Sequence, residues 1–148
     1  MNDEDTIVHL RVNGHRPRVA IVGGSPAGVT IATILIRQFG CVTLTAAGGE
    51  AALALLRRDP GIDLIVLDLN IPDMDGIVAA QLIRALGARA TLPILPITDD
   101  RSRLSAPRAR AVGFSGAVIK PYSPRELYAA MEAAFGRHPA TAPVAGHA

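Results

Sequence analysis

The sequence predicts an α/β domain built on a doubly wound parallel sheet, and three observations predict it. Short runs of strand formers alternate with helical stretches five times along the chain, the pattern of βα units wound onto one sheet. The strand candidates are near-continuous apolar runs, as strands covered on both faces require. The plainest, Leu64-Ile65-Val66-Leu67, ends on a carboxylate, Asp68, with turn chemistry close behind in Pro72, Asp73, Asp75 and Gly76. Ligands of open α/β sheets bind beyond the carboxyl ends of the strands. Asp68 is therefore the first candidate functional residue.

Taken in order, residues 1–17 form an N-terminal extension. Ile7 to Val12 is strand-like and Asn13-Gly14 is a hairpin signal, so an extra strand is one expectation there. Arg18 to Val22 is the first core strand. Ser25-Pro26 supplies an N-cap and a first-turn proline for a helix running to about Phe39, stopped by Gly40. Val42 to Ala46 is the second strand, and Gly49 to Arg58 is a helix ended by Pro60-Gly61. The Asp68 strand follows, then a helix from Ile77 to Leu86. Leu92 to Thr98 is a fourth strand, although Pro96 removes a ladder donor. A fourth helix is expected over Ser102 to Val112, short because Pro107 must begin or kink it. Gly116 to Lys120 is the fifth strand. Ser123-Pro124-Arg125-Glu126 is a capping box opening a helix to about Phe135. Residues 18–136 thus make one domain, and 137–148, rich in Pro, Ala and Gly, read as a flexible tail.

Composition narrows the function classes. Hydrophobic residues make up 49% of the 148 and aromatics 3%, so the core must be aliphatic. Fifteen basic and 13 acidic residues leave a net charge of +2, which makes no demand for nucleic acid. The single Cys41 excludes an internal disulfide framework and fits a reducing, cytoplasmic compartment. No run approaches the ~18 apolar residues of a membrane span, and the acidic N-terminus is unlike a secretory signal. No membrane association is expected.

Asp68-Leu69-Asn70-Ile71-Pro72-Asp73-Met74-Asp75-Gly76, then Thr98, then Lys120-Pro121 resemble the receiver domain of bacterial two-component response regulators. The similarity runs over about residues 17–136. The resemblance implies a flavodoxin-like fold with strand order 2-1-3-4-5 and phosphoryl transfer from a histidine kinase or phosphotransfer protein onto Asp68. It assigns Thr98 as the hydroxyl and Lys120 as the cation that meet the phosphoryl group. It assigns the Asn70 backbone carbonyl, with Asp68, as ligands of Mg²⁺. Such a protein is not an enzyme in its own right.

The sequence departs from that pattern at the end of the first strand. The family places two acidic residues there to hold the metal, and this chain has Gly23 and Gly24. Asp68 and Lys120 then neutralise one another, and the pocket has little demand for a divalent cation. Without one, a phosphodonor approaches Asp68 against like charge. Two unit charges at ~4 Å repel by about 4 kcal/mol at an effective dielectric of 20, about three decades of rate. Mg²⁺ binding and phosphorylation are therefore expected to be impaired. Asp99 and Asp100 are the carboxylates that could substitute. The aromatic that the family carries three residues before the lysine is Ala117 here, and Phe114 is out of register. A fixed output face is expected.

Two further readings compete. Gly23-Gly24-Ser25-Pro26-Ala27-Gly28 looks like a dinucleotide-binding turn. Ser25 stands at its central glycine, however, and no acidic residue closes the second strand. Arg101, Arg103, Arg108 and Arg110 around the fourth helix read either as a solvated face or as a docking patch for an acidic partner. The sequence thus points to a stand-alone receiver with output by protein contact, with homodimerisation left open. A phosphorylation-independent pseudo-receiver is the first alternative and a nucleotide-binding module the second.

Overall fold

The computed structural model describes residues 8–136. Five parallel strands form one sheet in the order β2-β1-β3-β4-β5. They are β1 (Arg18–Val22), β2 (Val42–Ala46), β3 (Leu64–Asp68), β4 (Ile94–Thr98) and β5 (Val118–Ile119). The helices are α1 (Pro26–Gln38), α2 (Gly49–Arg58), α3 (Gly76–Arg84), α4 (Pro107–Val112) and α5 (Pro124–Gly136). Short 3₁₀ turns cover Gly87–Arg89 and Arg101–Ser105. The predicted architecture and strand order are what the chain adopts.

Strand periodicity divides the core in two. Val19, Ile21, Leu64, Val66, Leu95 and Ile97 face one layer with α1 and α5. Ala20, Val22, Ile65, Leu67 and Ile94 face the other with α2, α3 and α4. All of these strand residues are at most 5% exposed, which explains why the strands read as unbroken apolar runs. Cys41 is fully buried, and burial pushes its thiol up to about 11. The register aligns the strand ends: Val22 pairs with Leu67, Asp68 with Ile97, and Thr98 with Ile119. Asp68, Thr98 and Lys120 therefore emerge at one edge of the sheet.

Four boundaries depart from the sequence expectation. No strand lies among residues 8–17; Asn13 and Gly14 take positive φ in a tight turn bridged from Val12 to His15. The third helix gives way to 3₁₀ geometry after Arg84. The fourth helix splits, because Pro107 pushes Ala106 into extended backbone and only Pro107–Val112 is α-helical. The fifth strand is two residues long, since Gly116 sits at φ +108°, outside strand geometry. That short β5 also accounts for Pro96 in β4. Backbone groups alternate sides along a strand, and the Ile97 carbonyl accepts from Leu69 of the β3 side while the Ile94 and Thr98 carbonyls accept from Ser115 and Lys120. Pro96 thus turns its missing donor toward β5, which has barely begun at that level. The expected tail, 137–148, lies outside the described residues.

Candidate functional site

Asp68 closes β3 with its side chain 14% exposed. Its Oδ1 accepts the Asn70 backbone N–H at 2.8 Å, and its Oδ2 accepts from Lys120 Nζ at 2.6 Å. Lys120 follows directly on β5, and the Lys120–Pro121 peptide is cis. The short ion pair sets the Asp68 carboxylate directly beside a positive charge. Tyr122 lies nearby, and its phenol is pushed above the ordinary range by burial and then by the Asp68 charge.

Thr98 is fully buried at the end of β4. Its hydroxyl accepts from the Asp100 N–H at 3.0 Å and donates to the Asp100 carbonyl at 3.3 Å, so it is engaged with its own loop. Asp100 is in turn occupied: its Oδ1 accepts from the Ser102 hydroxyl at 2.6 Å and the Ser102 N–H at 3.0 Å, which hold it below the usual carboxylate range. Asp99 instead lines a groove of about 680 Å³ that opens beside Asp68 and Lys120. Val29, Ile31, Ala32 and Leu35 of α1 make its apolar wall. Ile31 and Ile34 on the outer face of α1 are 54% and 52% exposed.

A carboxylate, a buried hydroxyl and a lysine at the ends of neighbouring strands accord with the similarities that the chain shows to known proteins. The Response regulator receiver domain model matches residues 19–132. The chain belongs to that family. DNA-binding response regulator MtrA of Mycolicibacterium smegmatis is 31% identical over 123 residues, covering 83% of this chain and 52% of the relative. Sensor protein GacS of Pseudomonas syringae pv. syringae is 29% identical over 119 residues, covering 78% of this chain and 13% of that protein. The chain thus spans between about an eighth and a half of these relatives. Among solved structures, chemotaxis response regulator CheY4 of Vibrio cholerae superposes with a TM-score of 0.75 at 27% identity, covering 80% of this chain and 98% of that one. The receiver domain of sensor histidine kinase PA1611 from Pseudomonas aeruginosa, solved with a magnesium ion in its active-site cleft, shares the fold with a TM-score of 0.75 at 23% identity. This chain is a receiver of two-component signalling.

The residues present in this receiver do not fit a divalent cation. Gly23 and Gly24 offer no ligand, and among the described residues no group of three or more His, Cys, Asp or Glu side chains converges. Nor is the acidic pair simply missing from an open pocket. A Cβ on Gly24 would fall closer than 3.0 Å to the Asn70 carbonyl oxygen, and a Cβ on Gly23 would run into Val29. The Asn70 carbonyl lies against the Gly24 backbone, in the space where an acidic side chain would begin.

Arg103 is a correction to the docking patch. Its guanidinium turns inward, donating to Asn70 Oδ1 at 2.8 Å, the Leu69 carbonyl at 3.2 Å and Asp75 Oδ1 at 3.1 Å. Arg101, Arg108 and Arg110 remain on the exposed surface. Ala117 is exposed beside a recess of about 350 Å³ between Arg101 and Glu126, while Phe114 packs into the α2–α3–α4 layer. Two contacts were not foreseen. Asp73 accepts from the Gly49 and Glu50 N–H groups at 2.8 and 3.0 Å, capping α2 from the β3–α3 loop. Arg84 joins α3 to the end of α4 through the Val112 and Gly113 carbonyls. The signal for the first was available: Gly48 before α2 carries no side chain to cap it.

Proposed function

We propose that this receiver uses Asp68 as its phospho-acceptor and transmits the result by protein–protein contact. The observation that carries the reading is the 2.6 Å Lys120–Asp68 pair at the strand ends. A carboxylate oxygen of Asp68 attacks the phosphorus of a phosphohistidine, the P–N bond breaks, and the imidazole of the kinase or phosphotransfer protein leaves. Lys120 then pairs with the new phosphoryl charge. Thr98 joins it once its hydroxyl leaves Asp100, which draws the segment after β4 toward the site. The donor docks along the apolar groove and the outer face of α1. Downstream contact falls to the exposed face carrying Arg108 and Arg110, suited to an acidic partner. The domain accepts one phosphoryl group and turns over no small substrate of its own.

The low positive charge around Asp68 makes transfer slow. The test is incubation with a small acyl-phosphate donor, with and without Mg²⁺, read by intact mass with Asp68→Asn as the control. Slow labelling that vanishes in the variant is the expected result; labelling that survives in the variant would place the acceptor elsewhere. A second reading, a pseudo-receiver that binds partners without phosphorylation, is favoured by the engaged Thr98 hydroxyl and would follow from a complete lack of labelling. The nucleotide reading is weakened by Ser25, whose Oγ caps the Gly28 N–H at 3.0 Å, and by Gly24, which is packed on Asn70.

A further inference from the structure

Asn70 is tied on three sides. Its N–H is held by Asp68, its side-chain oxygen by Arg103, and its carbonyl lies against Gly24. Arg103 also holds the Leu69 carbonyl and Asp75, the residue that caps α3 through the Ile77 N–H at 2.7 Å. Its side chain is 22% exposed, so these charge-assisted bonds are partly shielded from water. The carbonyl that the family offers to a metal is thus packed onto backbone, and the loop carrying it is organised by a guanidinium.

We propose that this receiver works without a divalent cation, because the Gly24 backbone closes the metal site against the Asn70 carbonyl and Arg103 holds the β3–α3 loop in the metal's place. The glycine at position 24 is then a requirement of the closed site. Restoring a side chain there pushes the loop outward before any ligand is gained. Arg103 is a positioning residue, acting on Asp68 only through Asn70.

The proposal rests on reading Asp68 as the receiver's acceptor, but its tests are of cation binding and loop order, so either can fail without the other. Amide spectra of the full chain are recorded during a MgCl₂ titration. No saturable shift is expected at Gly24, Asn70 or Lys120; a saturable shift centred on these amides overturns the proposal. Gly24→Ala should lower the unfolding midpoint, whereas Gly136→Ala, where a Cβ meets nothing within 4 Å, should not. A Gly24→Ala protein as stable as the parent would show that the site is not closed there. Arg103→Gln should raise hydrogen exchange at Asn70, Gly76 and Ile77 by about tenfold while the β1 amides stay unchanged. A rise shared equally by β1 would reduce Arg103 to a general stabiliser and overturn its assigned role. Absence of phosphoryl labelling at Asp68 would sink the acceptor reading and leave each of these results standing.

Discussion

The two flanks of Asp68 are built in opposite ways. On the α4 flank, Thr98, Asp100, Ser102 and Arg103 knit the segment after β4 to the β3–α3 loop through short polar bonds. On the α1 flank, Gly23, Gly28 and a wall of aliphatic side chains line a wide groove. The bonded flank has its donors and acceptors paired with each other; the apolar flank has surface that nothing in the described chain covers. With glycines where the family has an acidic pair, the order around Asp68 comes from one side, and the other side presents open apolar surface.

The largest effect expected from breaking this asymmetry comes from Arg103. Arg103→Ala removes three charge-assisted bonds, to Asn70, Leu69 and Asp75, although the Leu69 carbonyl keeps the Gly76 N–H as a donor. A loss of about 2 kcal/mol is expected, discounted for the partial exposure of the pair. Urea denaturation checks it; a loss below a few tenths would mean that the flank is not held from that side.

Asp68→Asn sharpens the comparison by its sign. In a pocket crowded with carboxylates, neutralising one relieves repulsion and raises stability. Here Asp68 faces Lys120, with the lysine side chain 37% exposed. Neutralising it removes an ion pair, so the variant should be less stable by about 1 kcal/mol. A stabilised variant would reveal acidic crowding that the site's geometry does not contain.

The Asp68 end of this asymmetry was legible in the sequence. Leu64 to Leu67 had to be a central strand, and the receiver resemblance set Lys120 beside Asp68, where the structure has it. Gly23 and Gly24 announced a missing ligand pair, but not that Asn70 fills the gap, since that depends on how two loops pack. Arg103 misled for a similar reason. A run of arginines around a short helix looks like a solvated face, and only the 3₁₀ turn created by Asp100 and Pro107 rotates one of them inward. Gly116 shortened β5 through a backbone angle that hydrophobic patterning does not encode, whereas Pro107 marked α4 as short from the sequence and begins it in the structure. The α2 cap by Asp73 joins positions too far apart for a local rule to pair them.

Acid tests the loop from its other end. Asp73 is held below the usual carboxylate range, first by the Glu50 N–H and then by the Gly49 N–H. Asp59 is held low by its hydrogen bond from Arg18, with help from the Gly61 N–H. Groups with depressed folded pKa values add stability that is complete above the unfolded value, about 3.9, and is lost as pH falls through the folded one. Stability should therefore fall in the region below about pH 4. Asp73→Asn should flatten part of that decline and leave the curve near neutrality with a small loss, since an amide oxygen still caps α2. An unchanged acid limb in the variant would remove Asp73 from the account.

The smallest effect on stability, and the one that isolates contact from folding, belongs to the α1 flank. Ile31→Ser and Ile34→Ser alter side chains that are already about half exposed, so each should change unfolding free energy by no more than about 0.5 kcal/mol. Yet α1 carries no charged residue from Pro26 to Ile36; Ile31 lines the groove, and Ile34 lies exposed three residues further along the same helix. If a phosphodonor protein docks there, the double variant should lose transfer from that protein while keeping its rate with a small acyl phosphate, which needs no docking surface. Equal losses with both donors would instead mean that the substitutions disturb Asp68 itself. Retention of both would move the donor to the opposite flank, where the bonds of Arg103 would have to open before a partner could approach.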